Sequence, residues 1–376
     1  MTPKIACFLI EQQPPAPCLV FDLDRLEANF HTLKSALPLA EIYYAVKANP
    51  APSVLERLVS LGSSFDAASF EEIEVCLAAG AQPAAISYGN TVKKACAIRA
   101  ARAAGVDLFA FDSAEELEKL AKNAPGARVY CRVGVENTGA DWPLAGKFGA
   151  DLELARELML SAGSLGLDPC GLSFHVGSQQ TRTASYEAAI GRVAMLFTDL
   201  MEAGLDLRLF NLGGGFPVRY RDAVPEIDAF AAAIMRAMTR HFGNALPGML
   251  VEPGRCLAAD AGVVVSEVVL VSRRVRDDPL RWVYLDIGRF GGLAETENEA
   301  IRYRISTAHD GLPDGPVVIA GPTCDGADVL YQRTPYRLPL ALAAGDRVLL
   351  HAAGAYVSTY ASRCFNGFAP LAEHYL

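Results

Sequence analysis

The sequence predicts an α/β fold, a (β/α)8 barrel of the TIM type followed by a mainly β domain, and three observations carry that expectation. Short runs of β-forming residues alternate with helical patterns between about residues 40 and 255. Polar residues gather just after the C-terminal ends of those runs, the one face on which barrels build active sites. From Gly262 onward helical periodicity fades and strand-like alternation replaces it.

The runs are 42–47, 64–66, 86–88, 107–111, 128–133, 171–176, 208–212 and 249–252, eight in all. Eight β/α repeats suggest a barrel, with a doubly wound open sheet as the rival that strand counting leaves open. Ser69 with Glu72 and Ser113 with Glu116 have the spacing of capping boxes, and Gly80 sits where a left-handed helix cap is expected. Strand-like stretches at 263–271, 282–287, 316–320 and 347–352 mark the second domain, joined by residues 1–23 as an extra strand. The expected division is therefore a barrel at 24–260 and a β-sandwich or β-barrel-like domain from 1–23 and 261–376.

With 376 residues, 51% hydrophobic and 20% charged, the chain can bury full cores and lacks the composition of a disordered segment. A net charge of −9 argues against nucleic acid or an anionic membrane surface as partner, and is compatible with a small cationic substrate. Nine cysteines, without a CxxC pair or finger spacing, point to a reduced, cytoplasmic setting and to no metal site. The apolar run 6–10 closes at Glu11, too short for a signal peptide or a membrane span.

Lys47 stands out in Tyr43-Tyr44-Ala45-Val46-Lys47-Ala48-Asn49-Pro50, a lone amine where a strand is stopped by Asn-Pro. Half-desolvated at a strand end, such an amine favours its neutral form and condenses with a carbonyl. Alone, a lysine at a strand end more often snorkels to solvent. The company it keeps matters more. Asp66, Asn90, Arg132, His175, Gly213-Gly214-Gly215 and Glu252 lie at or just after the ends of six of the other seven runs. Three consecutive glycines allow backbone N–H groups to converge on an anion, and barrels often bind phosphate between strands seven and eight. Glu252-Pro253-Gly254-Arg255 offers a carboxylate for a pyridine nitrogen and a guanidinium for phosphate, or else a structural ion pair. His175 is either a core histidine or a flat ring for stacking. Cys324 beside Asp325 places a thiol, a proton donor, next to an acid able to bind an ammonium.

Taken in order, the motifs Tyr-Ala-Val-Lys47-Ala-Asn, Phe-Asp66-Ala-Ala-Ser, His175-Val-Gly-Ser178, Gly-Gly-Gly-Phe-Pro, Glu252-Pro-Gly-Arg255, Gly-Pro-Thr-Cys324-Asp325-Gly and Phe365-Asn-Gly-Phe make the chain resemble, over nearly its whole length, the fold-type III pyridoxal-phosphate decarboxylases of basic amino acids. That group includes the ornithine, lysine and diaminopimelate enzymes. The resemblance implies the alanine-racemase-like barrel and pyridoxal 5'-phosphate held covalently by Lys47. It implies His175 against the cofactor ring, Glu252 at its nitrogen and Asp66 beside Lys47. Ser178, Gly213, Gly214, Gly215, Gly254, Arg255 and Tyr356 would serve the phosphate, with Arg132 and Lys147 in support. It further implies a homodimer with shared sites, Cys324 acting as proton donor and Asp286, Asp325, Tyr356 and Phe365 meeting the substrate.

Cys324-Asp325 resembles the ornithine decarboxylase version of its loop, so L-ornithine to putrescine is the expected reaction, with L-lysine to cadaverine beside it. One methylene distinguishes these substrates by only ~1–3 kcal/mol. The stretch 286–295 departs from the eukaryotic ornithine enzymes. Arg289 there keeps diaminopimelate or a carboxylated polyamine as an alternative, and the role of Glu295 is open. An amino-acid racemase on the same fold is a further alternative, disfavoured because Cys324 stands in the loop where such enzymes need a tyrosine.

Overall fold

The computed structural model describes residues 1–144 and 146–376. Its residues form two compact units, one of Glu27–Pro217 and Val224–Cys256, the other of Met1–Leu26, Val218–Ala223 and Leu257–Leu376.

In the first unit, strands Ala40–Ala45, Ser64–Ala67, Ile86–Tyr88, Leu108–Phe111, Arg128–Arg132, Asp168–Ser173, Leu209–Asn211 and Gly248–Val251 form a closed barrel. All are parallel, and Met249 to Val251 pair with Ala40 to Ile42 to close the ring. An open sheet is thereby excluded, and each expected run overlaps one of these strands. Tyr43, Leu108, Ala110, Tyr130, Cys170 and Leu250 pack together inside. The barrel is filled rather than hollow, so chemistry is left to the strand ends.

The helices start as the capping signals predict. Ser69, Ser113 and Asp151 accept the N–H groups of Glu72, Glu116 and Leu154. Glu72 bonds back to the Ala68 N–H at 2.7 Å, completing the box one residue early. Glu116 does not complete its box: it pairs with the fully enclosed Lys93 at 3.0 Å and with Lys119 at 2.6 Å. An ion pair with a buried ammonium outweighs a cap that water can satisfy.

The second unit is built on a sheet whose path runs Arg304–Thr307, Arg347–His351, Gly262–Ser272, Arg281–Leu285, Asp314–Ala320 and Val329–Pro339. Cys18–Phe21 pairs antiparallel with Gly262 to Val265 and parallel with Ala372–Tyr375. The N-terminal stretch thus contributes the expected strand, preceded by an unexpected helix, Pro3–Gln12, capped by Thr2. Val329–Pro339 escaped the sequence pattern because its pairing is broken by register shifts on either side of Ile319. No described helix is long and apolar enough to cross a membrane.

Candidate active site

Strand one stops at Ala45, earlier than the periodicity suggests, and Lys47 lies in a single 3-10 turn, Val46–Ala48. The Asn49 N–H returns to the Val46 carbonyl, and the Ala45 N–H donates to the Pro253 carbonyl at 2.9 Å, so strand ends one and eight are stitched together. Pro50 prevents the strand from resuming. The Lys47 amine is 3.4 Å from Asp66 Oδ2, with 47% of the lysine side chain exposed against 5% of the aspartate. Desolvation is therefore not the only influence on this amine: a carboxylate at that distance holds an ammonium in place.

Around this pair the barrel gathers His175, Arg132, Glu252 and the glycine turn. His175 Nδ1 accepts the Gly177 N–H at 3.0 Å. Burial, Arg132 and Lys47 hold its imidazole well below the ordinary range, so the ring is neutral at pH 7. Arg132 lies 4.9 Å from the Phe148 ring, and Lys147 is 5.0 Å from the same ring. Burial, then the nearby Asp66 charge, pushes the Glu252 carboxyl up to about 7. Tyr130, beneath them, shares a 2.9 Å hydrogen bond with Ser87.

The glycine turn follows strand seven. Glu252 N–H donates to the Gly213 carbonyl, the Tyr186 hydroxyl to that of Gly214 and Gln180 N–H to that of Gly215, each at 2.8 Å. In a trans peptide the N–H points opposite its carbonyl. With the three carbonyls engaged by the protein, the N–H groups of Gly214, Gly215 and Phe216 face the other way, as an anion cradle requires. A Cβ on Gly213 would lie 2.2 Å from the Phe174 carbonyl, and one on Gly214 2.4 Å from that of Glu252. Next to the turn, Arg255 donates to Ser178 Oγ through Nε at 3.2 Å and Nη2 at 3.0 Å, and Gly254 is buried beside it.

The barrel unit thus brings together Lys47, Asp66, Arg132, His175, Ser178, Gly213 to Gly215, Glu252, Gly254 and Arg255. The β unit carries the others. Exposed Cys324 donates its N–H to Asn366 Oδ1 at 3.0 Å, and Phe365 packs on Phe290 with centroids 4.8 Å apart. Asp325, also exposed, accepts the Ala327 N–H. Asp286 directly follows the strand Arg281–Leu285, one oxygen accepting Ser266 Oγ at 2.6 Å and the Glu267 N–H at 3.0 Å. Tyr356 sits at φ 60°, a left-handed conformation rare for a tyrosine. Two neighbours of the site were missed from sequence, Asn211 and Tyr130. Only Asn211 had a signal, its place directly before the glycine turn.

A barrel with an amine, a half-buried acid, a neutral imidazole and an anion cradle at its C-terminal rim defines an enzyme that works through a phosphorylated aldehyde cofactor. The family described as pyridoxal-dependent decarboxylase, pyridoxal binding domain, matches residues 23–259, and the chain belongs to it, among the fold-type III decarboxylases of basic amino acids. It is 38% identical to the lysine/ornithine decarboxylase of Selenomonas ruminantium over 356 residues, 94% of this chain and 88% of that protein. It is also similar to the lysine/ornithine decarboxylase of Vibrio vulnificus solved with cadaverine, with a TM-score of 0.88, 32% identity and coverage of 99% and 97%. The arginine decarboxylase of Paramecium bursaria Chlorella virus, solved with agmatine, gives a TM-score of 0.90 at 26% identity, covering 99% of this chain and 100% of that one.

The residues present fit pyridoxal phosphate. The cradle matches its phosphate, Lys47 its aldehyde and Glu252 a basic ring nitrogen, while Asp66 Oδ1 is buried without a hydrogen-bond partner among the described residues. Without cofactor, Glu252 makes a pH-dependent contribution whose sign is clear. Its folded-state affinity for the proton is raised above the ordinary 4.5, so its stabilising effect is full below that pH and is lost as pH rises through about 7. Cofactor-free Glu252→Gln should accordingly lose less melting temperature than the parent chain between about pH 5 and 8. Parallel melting curves would contradict this.

Proposed function

We propose that this chain decarboxylates L-ornithine to putrescine, and L-lysine to cadaverine, in the cytoplasm as a step of polyamine synthesis. The observation that carries the reading is the exposed Cys324-Asp325 pair held on Asn366, together with relatives whose names specify lysine and ornithine. Pyridoxal phosphate supplies the electron sink that accepts the bonding pair left when CO2 departs. The protein's residues do the rest. Lys47 would hold the cofactor through its aldehyde, and its amine would be the group that the substrate amine replaces. Asp66 orients the Lys47 ammonium. Glu252 meets the ring nitrogen, and His175, neutral and flat, covers a ring face without adding charge. Gly213 to Gly215, Ser178, Arg255 and Tyr356 hold the phosphate. Asp325 and Asp286 receive the distal ammonium beside Phe365, and Cys324 Sγ delivers the proton to the α-carbon.

A head-to-tail homodimer is part of the proposal, with Cys324 and Asp325 of each subunit completing the site of the other. Specific activity should then fall on dilution as dimers dissociate; a fully active monomer would overturn the shared site. Arg289 Nη2 donates to the Val329 carbonyl at 3.0 Å and its backbone N–H to Asp328, while its Nε is buried without a hydrogen-bond partner among the described residues, so diaminopimelate stays among the substrates to be tested.

Steady-state CO2 release from L-ornithine, L-lysine, L-arginine and meso-diaminopimelate, compared side by side, tests the substrate. The expected result is turnover of the first two within roughly 10–200-fold of each other, the range that one methylene discriminates. Turnover of diaminopimelate or arginine alone would sink it. Cys324→Ala should slow the reaction and divert protonation to aberrant products. Normal product at full rate would place the proton donor elsewhere.

A further inference from the structure

Asn211 ends barrel strand seven with no exposed surface, and one side chain ties two parts of the site together. Its Oδ1 accepts the Gly213 N–H at 2.8 Å, at the first residue of the glycine turn. Its Nδ2 donates to Glu252 Oε1 at 2.5 Å. The amide has only one workable orientation. Reversing it would set NH2 against the Gly213 N–H and a carbonyl oxygen against a carboxyl oxygen, two like-with-like contacts. The Glu252 N–H meanwhile donates to the Gly213 carbonyl at 2.8 Å, so acid and turn are joined at backbone and side chain alike.

An amide NH2 can only donate. Glu252 Oε1 is therefore an acceptor whatever the charge of the acid, and a proton on the acid must reside on Oε2. The groups that act on this carboxyl are Asp66 from strand two, Lys47 from the turn after strand one, and Arg132 and Tyr130 from strand five. Asn211 acts on it through a direct hydrogen bond, which draws the acid toward the anion.

We propose that Asn211 is a positioning residue that locks Glu252 Oε1 as an acceptor, so that Oε2 alone carries the acid's proton and faces the cofactor ring. The inference rests on the reading that Glu252 serves the ring nitrogen. It adds that strand seven sets both the phosphate cradle and the polarity of the acid through a single amide. A proton on Oε2 can pass to a pyridine nitrogen, leaving an anionic carboxylate that accepts the new N–H, with Oε1 still held by Asn211.

The test uses full-length protein carrying 13C-carboxyl-labelled glutamate and freed of cofactor. The carboxylic acid C=O band is followed by infrared difference spectroscopy against pH and assigned by its loss in Glu252→Gln. In the parent chain the band should have the lowered frequency of a carbonyl that accepts a hydrogen bond. In Asn211→Ala it should rise in frequency, and its titration midpoint should move up by about one pH unit, a tenfold gain in proton affinity. Asn211→Asp, which places a second carboxylate against Oε1, should move the midpoint up further. With cofactor bound, the pH dependence of its visible absorption and of kcat should shift in the same order. A midpoint and frequency unmoved in Asn211→Ala, with Glu252→Gln inactive, would overturn the role of Asn211 alone. Full activity in Glu252→Gln would overturn the reading beneath it. Should Asn211→Ala fail to fold, the parent band decides, because a C=O free of hydrogen bonding there contradicts the lock.

Discussion

Lys47→Ala is expected to abolish CO2 release, with kcat/KM lower by on the order of 10³-fold or more, because the covalent attachment and the amine that frees the product are lost together. The fold should survive. Lys47 lies in a one-turn 3-10 segment with nearly half its side chain in solvent, and the turn is held by the Asn49 N–H on Val46 and by the Ala45 N–H on Pro253. The loss should thus appear in catalysis and in borohydride trapping, which in the parent chain should tag the peptide containing residue 47, while the melting temperature changes little. A tag on another lysine, or an active Lys47→Ala, would remove the basis of the functional reading.

Gly214→Ala should have the next largest effect, through the cofactor rather than the chemistry. The added Cβ would meet the Glu252 carbonyl at 2.4 Å and His175 Nε2 at 3.2 Å. The first of these atoms is backbone, in the residue directly after strand eight, whose N–H is held by the Gly213 carbonyl at 2.8 Å. The turn must move instead, and with it the N–H groups facing the phosphate. Overpacking of this kind costs about 1–3 kcal/mol, which corresponds to cofactor binding roughly 5- to 150-fold weaker. Titration of the cofactor-free protein, followed by absorbance, measures it directly. Unchanged affinity would mean that the three glycines shape the turn without serving an anion. Gly163, where an added Cβ would meet nothing within 4 Å, is the control that should tolerate alanine.

Much of the barrel and its rim was legible in the amino-acid order because both are local and repetitive. A strand such as 108–111 announces itself by apolar β-formers, and a helix such as Phe70–Ala78 by the Ser69 cap that starts it. Other features were not legible. The end of strand one at Ala45 depends on a hydrogen bond to Pro253, some two hundred residues away in the chain. Lys93 reads as an ordinary surface lysine beside Lys94, yet its ammonium is enclosed and bonded to the Ala110 carbonyl at 2.6 Å and to Glu116. Asp328, an unremarkable acid in sequence, accepts the N–H groups of Arg289 and Thr323 and fixes the base of the Cys324 loop.

Residue chemistry and its order along the chain were enough to suggest the barrel and to pick out the amine at position 47, the glycine turn and the acid at 252 as candidates, since each is a short pattern whose meaning comes from its neighbours in sequence, whereas closure of the ring needed the strand pairing. The polarity of the site needed the folded chain. Which oxygen of Glu252 is bound, which way the Asn211 amide faces, and how near Asp66 stands to Lys47 all depend on strands that meet only when the barrel closes. Hydrogen-bond direction and electrostatic attraction are set by ångström separations across space, and no spacing along the sequence encodes them.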